Sequence, residues 1–204
     1  MIDPLTFGLN VSRETSADLS QFHDLVLKWS SAINLISKSS VKTLWERHIW
    51  DSAQIIEYAG DGENWLDIGS GGGFPGVIIA VFAKHEMPQR HVTMVESDTR
   101  KATFLRTAVR ELNLKADVVT ARVEECTAFN ADVLSARALS ELSGLLPYAE
   151  QHLSTSGKAL FPKGETWETE LDIARQSWSF DVKAHKSKTN AAAAILEMKD
   201  IQRV

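Results

Sequence analysis

The sequence has only one cysteine, Cys126, in 204 residues. A lone thiol excludes an internal disulfide and suits a reducing compartment; its expected fate is that of a small buried residue. There is no internal repeat, low-complexity tract or Pro/Gly/Ser-rich linker. No apolar run is long enough to span a membrane. Met1 to Asn10 lack a basic start followed by an apolar stretch, so no secretory signal is expected and the chain is expected to be cytoplasmic. Positive charge is also short: 22 Lys and Arg against 27 Asp and Glu leave −5. That balance disfavours nonspecific binding to nucleic acid and leaves phosphate contacts to local basic patches. The six histidines (His23, His48, His85, His91, His152 and His185) show no ligand spacing, so no metal site is expected.

What remains is ordinary globular material, 44% hydrophobic and 24% charged, enough for one domain with a sizeable core. Leu19, Phe22, Leu25, Val26, Trp29, Ile33 and Ile36 recur at steps of three and four, one apolar helix face capped by Thr15 or Ser16. A second helix is expected from about Val41 to Tyr58, capped by Ser39 or Ser40. From Trp65 onward strand and helix patterns alternate. Strands are expected at 65–68, 91–96, 117–120, 131–135 and 158–161, with helices at 77–83, 99–112 and 140–153. Two antiparallel strands should close the tail, around Trp178–Val182 and Ala192–Met198. This is an α/β, Rossmann-like pattern with a seven-stranded, mostly parallel sheet. Residues 1–60 form an N-terminal helical extension packed on it, its helices lying across the strands' carboxyl ends, and residues 61–204 form the core.

Gly69, Gly71 and Gly73 follow the first strand directly and precede a helix. Glycine is needed there if the chain turns sharply and a ligand approaches the backbone; the bland alternative is a tight strand-to-helix turn. Glu96 closes the second strand, where such folds place an acid on ribose hydroxyls. Two chemistries share this layout, dinucleotide redox and S-adenosylmethionine binding. Asp67 favours the second, because a carboxylate beside the loop repels a pyrophosphate and suits a cofactor carrying an ammonium and a sulfonium. Phe74 also stands where the GxGxxG spacing requires a third glycine. The expected fold is therefore a class I SAM-dependent methyltransferase.

Ordered motifs then narrow the reading. They are Trp29 with Asn34-Leu35, Arg47-His48-Ile49-Trp50-Asp51-Ser52, Asp67 through Gly76, Arg122-Val123-Glu124-Glu125, Ser135-Ala136-Arg137-Ala138 and Pro162-Lys163-Gly164. Together they resemble the GidB/RsmG family, which methylates N7 of a guanosine in 16S ribosomal RNA; the Ala136 before Arg137 departs from the family's S-R-A turn. The resemblance implies S-adenosyl-L-methionine as cofactor, and 16S rRNA or the small ribosomal subunit as partner, with the protein acting as a monomer without metal. It implies that Gly69, Phe74, Val123, Glu124 and Arg137 line the cofactor pocket beside Asp67, Gly71, Gly73 and Glu96. An exposed acid at a helix start is the alternative for Glu124.

Guanine N7 carries a lone pair and no proton, so no general base and no catalytic triad are expected. The base must be held by complementary groups, with arginine suited to O6 and aromatic rings to stacking. Asn34, Arg47, His48, Asp51, Arg137 and Lys163 are the candidates on the substrate side. Arg47 and Asp51 could instead pair with each other along one helix face, and Lys163 could be an ordinary turn lysine. Arg100, Lys101, Arg106 and Arg110 form a basic run, either a solvated face or a phosphate stripe. Trp45, Trp50 and Phe74 are stacking candidates, with the core as the alternative. A small-molecule or protein methyltransferase, or a non-catalytic SAM-binding module, would share the fold.

Overall fold

A computed structural model describes residues 11–204. The stretch read for a leader, residues 1–10, lies outside the described residues. Five strands pair in parallel: β1 (Asn64–Ile68), β2 (His91–Val95), β3 (Ala116–Val119), β4 (Ala131–Ser135) and β5 (Leu153–Lys163). β6 (Trp178–Lys186) and β7 (Ala194–Arg203) are antiparallel, and β7 inserts between β5 and β6. The sheet order is β3-β2-β1-β4-β5-β7-β6. The direction of winding reverses between β1 and β4, where sheets of this kind leave a crevice at the strands' carboxyl ends.

The strands bury side chains on both faces with period two, and so build two cores. Trp65 and Val133 point into one, Leu66, Ile68 and Leu134 into the other. The first core is closed by α1 (Arg13–Ser30), α3 (Gly76–Glu86) and α4 (Thr99–Glu111); the second by α5 (Leu142–His152) and α6 (Trp167–Ala174). α3 is buried from Gly76 to Ala83, which explains its nearly continuous apolar sequence.

Several boundaries differ from the sequence reading. α1 is capped by Ser12, whose side chain accepts from Thr15 N, and it ends at Ser30. Ile33 and Ile36 lie beyond it and still pack against the first core. α1 rests against α3 and α4 rather than across the strand ends. The expected second helix is broken into a 3-10 stretch (Lys38–Thr43, capped by Ser37), a π turn (Trp45–Trp50), one α turn, α2 (Asp51–Ala53), and a second 3-10 stretch (Gln54–Tyr58). The widened π turn holds the Trp45 and Trp50 rings 5.5 Å apart, and such turns recur at functional sites. This irregular segment reaches the carboxyl end of the sheet, where Arg47, His48 and Asp51 meet Arg137. α6 falls where no element was expected. Cys126 is half-buried rather than buried.

Candidate functional site

The chain leaves β1 into a bend of five residues, Gly69 to Gly73. Gly69, Gly71 and Gly73 have φ of 65, 53 and 85°, a region that side chains disfavour. Gly69 N–H and Ser70 N–H donate to Val95 O, tying the bend to β2. Gly71 N–H donates to Glu96 Oε2 at 2.7 Å, and Asp98 N–H to Glu96 Oε1 at 2.8 Å. A Cβ on Gly73 would meet Val77 at 2.6 Å and Phe22 at 2.9 Å, so this glycine serves packing. Among the described residues, a Cβ on Gly71 would meet only Gly69 O at 3.7 Å, so they leave the space beside Gly71 open.

Asp67 lies beneath the bend, fully buried. Its Oδ1 accepts from Ser135 Oγ at 2.7 Å and its Oδ2 from Gly76 N–H at 3.1 Å. Ser135 Oγ in turn accepts from Trp65 Nε1 at 2.9 Å. Burial pushes the Asp67 carboxyl up to about 6. Asp67 therefore joins β1, β4 and the start of α3 from below and presents no oxygen to the open side. The surroundings fit a sulfonium nucleoside. Glu96 keeps lone pairs for sugar hydroxyls, and Val123, buried, stands beside exposed Glu124 on the 3-10 turn after β3.

Next to the bend is a cavity of about 790 Å³ at the strands' carboxyl end, ample for an extruded base. Its walls include Arg47, His48, Asp51, Arg137, Leu139 and Lys163. Arg137 follows β4 and is clamped. Its Nε pairs with Asp51 Oδ2 at 3.1 Å, and its Nη2 donates to Arg47 O at 2.7 Å and to His48 Nδ1 at 3.1 Å. Its Nη1 reaches Ser52 Oγ at 3.4 Å, and its guanidinium lies 5.9 Å from the Phe74 ring centroid. Asp51 thus pairs with Arg137 and not with Arg47, whose own side chain is exposed at the rim. Burial, then the charges of Arg137 and Arg47, lower His48 to about 4. Its imidazole is neutral at pH 7, and acceptance at Nδ1 puts the proton on Nε2, which is buried without a hydrogen-bond partner among the described residues.

Lys163 ends β5 and is also fixed, to Glu170 Oε2 at 2.7 Å and to Ser140 O at 2.8 Å. It braces the loop after β4. Asn34 is exposed outside the cavity wall, on a segment whose Leu35 carbonyl would lie 3.0 Å from a Cβ on Gly72. Trp50 is core, Trp45 stacks on His23, and Phe74 packs between Phe22 and His48. In the basic run, Arg106 donates to Val118 O and Thr120 Oγ1, Arg110 pairs with Glu111, and Arg100 with Asp98.

The sequence reading misses three residues that shape the cavity. Gln54, buried, donates to Asp51 Oδ1 at 2.9 Å and accepts from Lys188 N–H at 2.8 Å. Thr189 donates to Asp51 Oδ1 at 2.6 Å. These bonds pin the β6–β7 loop to α2 and the 3-10 stretch that follows it. The only signal for Gln54 was an amide in an otherwise apolar stretch. The third is Leu139.

A family described as GidB, rRNA small subunit methyltransferase G, matches residues 15–198. The chain is 48% identical over 204 residues to ribosomal RNA small subunit methyltransferase G of Ruegeria pomeroyi, covering 100% of both. It is 49% identical over 197 residues to the protein of that name from Cereibacter sphaeroides, covering 96% of each. Among solved structures, a SAM dependent methyltransferase from Aquifex aeolicus superposes with a TM-score of 0.59 at 13% identity, over 80% of this chain and 98% of that one.

Proposed function

Because this chain belongs to the GidB family, rRNA small subunit methyltransferase G, we infer that it transfers a methyl group from S-adenosylmethionine to N7 of a guanosine in 16S ribosomal RNA. The observation that carries the reading is the family match over residues 15–198, which takes in both the glycine bend and the cavity beside it. The donor, when bound, supplies an electrophilic methyl on a sulfonium. Guanine N7 attacks through a lone pair in the ring plane, so the protein need not remove a proton. Its contribution is orientation, exclusion of water and tolerance of moving positive charge.

In this reading Gly71 and Glu96 hold the sugar, and Val123 with Glu124 the adenine. Gly69, Gly73 and Phe74 shape the bend, and Asp67 fixes it from beneath. The π turn forms the cover of the base pocket. Asp51 and Arg137 lock that cover to β4, and Lys163 locks the following loop to β5. His48 offers a neutral imidazole beside Phe74, where a second cation would oppose the sulfonium. Arg47 stands at the rim and Asn34 outside it, both exposed and open to a phosphate or a base edge. The partner is 16S rRNA or the small ribosomal subunit, met in the cytoplasm by a monomer that needs no metal.

The test is incubation with methyl-labelled donor and, separately, small ribosomal subunits, naked 16S RNA and a metabolite extract. Label should enter 16S RNA at a single guanosine and resist removal by protease. Label confined to protein or to small molecules would refute the reading.

A further inference from the structure

The side chain of Leu139 lies between the glycine bend and the cavity. Leu139 lines the cavity. It also lies on the bend: a Cβ on Gly69 would fall 2.7 Å from its Cδ1, 3.0 Å from its Cδ2 and 3.1 Å from its Cγ. The space beside Gly71 is open; that beside Gly69 is filled by this leucine. Leu139 is nevertheless 42% exposed. A leucine so placed contributes little to a core, and loops at strand carboxyl ends are where function concentrates.

Its loop is anchored on both sides of it. Upstream, Ser135 is bonded to Asp67 and Arg137 to Asp51. Downstream, Ser140 O accepts from Lys163, and Leu142 N–H donates to Glu170. Between the anchors Ala138 has φ 54°, a left-handed state that an alanine holds only under constraint. Residues 138 and 139 are therefore the part of this loop that can shift without breaking an anchor.

The direction of the donor follows from its two other contacts. With the sugar on Glu96 past β2 and the adenine beside Val123 past β3, the amino-acid end must run over β1 toward β4. Gly69 and Leu139 meet there. The base lies on the far side of Leu139, and methyl transfer requires the reacting atoms within about 3–3.5 Å.

We propose that Leu139 is a displaceable partition: it fills the seat of the donor's amino-acid end beside Gly69 and swings aside when the donor binds, joining the bend to the base pocket. It is a positioning residue, and the proposal rests on the donor assignment made above. Filling the seat before the donor arrives keeps water out of the passage and makes the base pocket respond to donor occupancy.

Calorimetry with two ligands tests this without any turnover. S-adenosylhomocysteine has the amino-acid end; adenosine lacks it. Leu139→Ala should bind S-adenosylhomocysteine about three- to tenfold tighter, because no side chain has to be displaced, and should bind adenosine as the parent does. Leu139→Trp should weaken S-adenosylhomocysteine and leave adenosine unchanged. A purely structural role would move both ligands together, and that result would overturn the proposal. So would equal or weaker S-adenosylhomocysteine binding by Leu139→Ala. If the parent protein binds neither ligand, the donor assignment itself fails and the partition with it.

Discussion

Replacing Arg137 with methionine keeps much of the side chain's length and deletes its guanidinium. The contacts to Asp51, the Arg47 carbonyl, His48 and Ser52 disappear together. Arg137 and Asp51 are only 17% and 21% exposed in their side chains, so the pair is largely withdrawn from water. Removing one partner of a buried pair costs about 3–5 kcal/mol. Asp51 keeps the bonds from Gln54 and Thr189, which places the expected loss at about 3 kcal/mol, the lower end of that range. Urea unfolding at neutral pH measures it. A second effect appears at His48, held at about 4 by burial first and by Arg137 next. With the guanidinium gone and the burial kept, its midpoint should rise above about 4 and remain below the ordinary 6.5. Each pH unit of that rise is worth about 1.4 kcal/mol. The sign is fixed: a depressed histidine stabilises the fold fully above pH 6.5, and that stability drains as pH falls toward about 4, over a narrower window in the variant. Proton NMR of the His48 ring follows the titration. A stability loss under about 1 kcal/mol with an unmoved His48 midpoint would refute the clamp.

Asp67 predicts the opposite slope. Its carboxyl is raised from 3.8 to about 6, so the fold is favoured at low pH and loses about 3 kcal/mol as pH climbs through that interval. Asp67→Asn should abolish this component, read as the difference in stability between parent and variant at about pH 4 and about pH 7, a comparison in which the His48 slope cancels; a constant difference would count against it. Gly71→Val forces a β-branched residue to φ 53°, costing about 1–3 kcal/mol, and should reduce S-adenosylhomocysteine affinity at least about tenfold by calorimetry; undiminished binding would remove the bend from the donor site. Lys163→Met leaves the Glu170 carboxylate, 15% exposed, without its cation and should destabilise by about 3 kcal/mol, with part of the loss recovered in the Lys163→Met, Glu170→Gln double variant. No recovery in the double variant would mean that the pair is not what holds the loop.

The sheet was readable because its signal is redundant. Buried parallel strands are short apolar runs, and alternation with helices leaves few topologies. β4 matches the reading residue for residue. The glycine bend and Glu96 were readable for a different reason: few residue types tolerate those positions. The segment 38–58 was not, because its apolar spacing is helical while its geometry is set by contacts distant in sequence, Arg137 and Thr189 pulling on Asp51. Asp67 was found by its place before the bend, but spacing does not show its bonds to Ser135 and Gly76. Arg137 and Lys163 were found by position, but their use as braces depends on Asp51 and Glu170, partners that spacing does not reveal. Leu139 gave no sign, since an apolar residue after a strand is ordinary until Gly69 is seen beneath it.

Asp51 and Thr189, which meet across one wall of the cavity, stand 138 positions apart in the chain. β7, which carries the loop's far end, must also slot between two strands already made. A ribosome making this protein therefore releases every part of the glycine bend well before the cavity beside it can be completed. In a nascent copy that cavity stays open on one side until β7 is threaded home, so its full shape is a late product of synthesis.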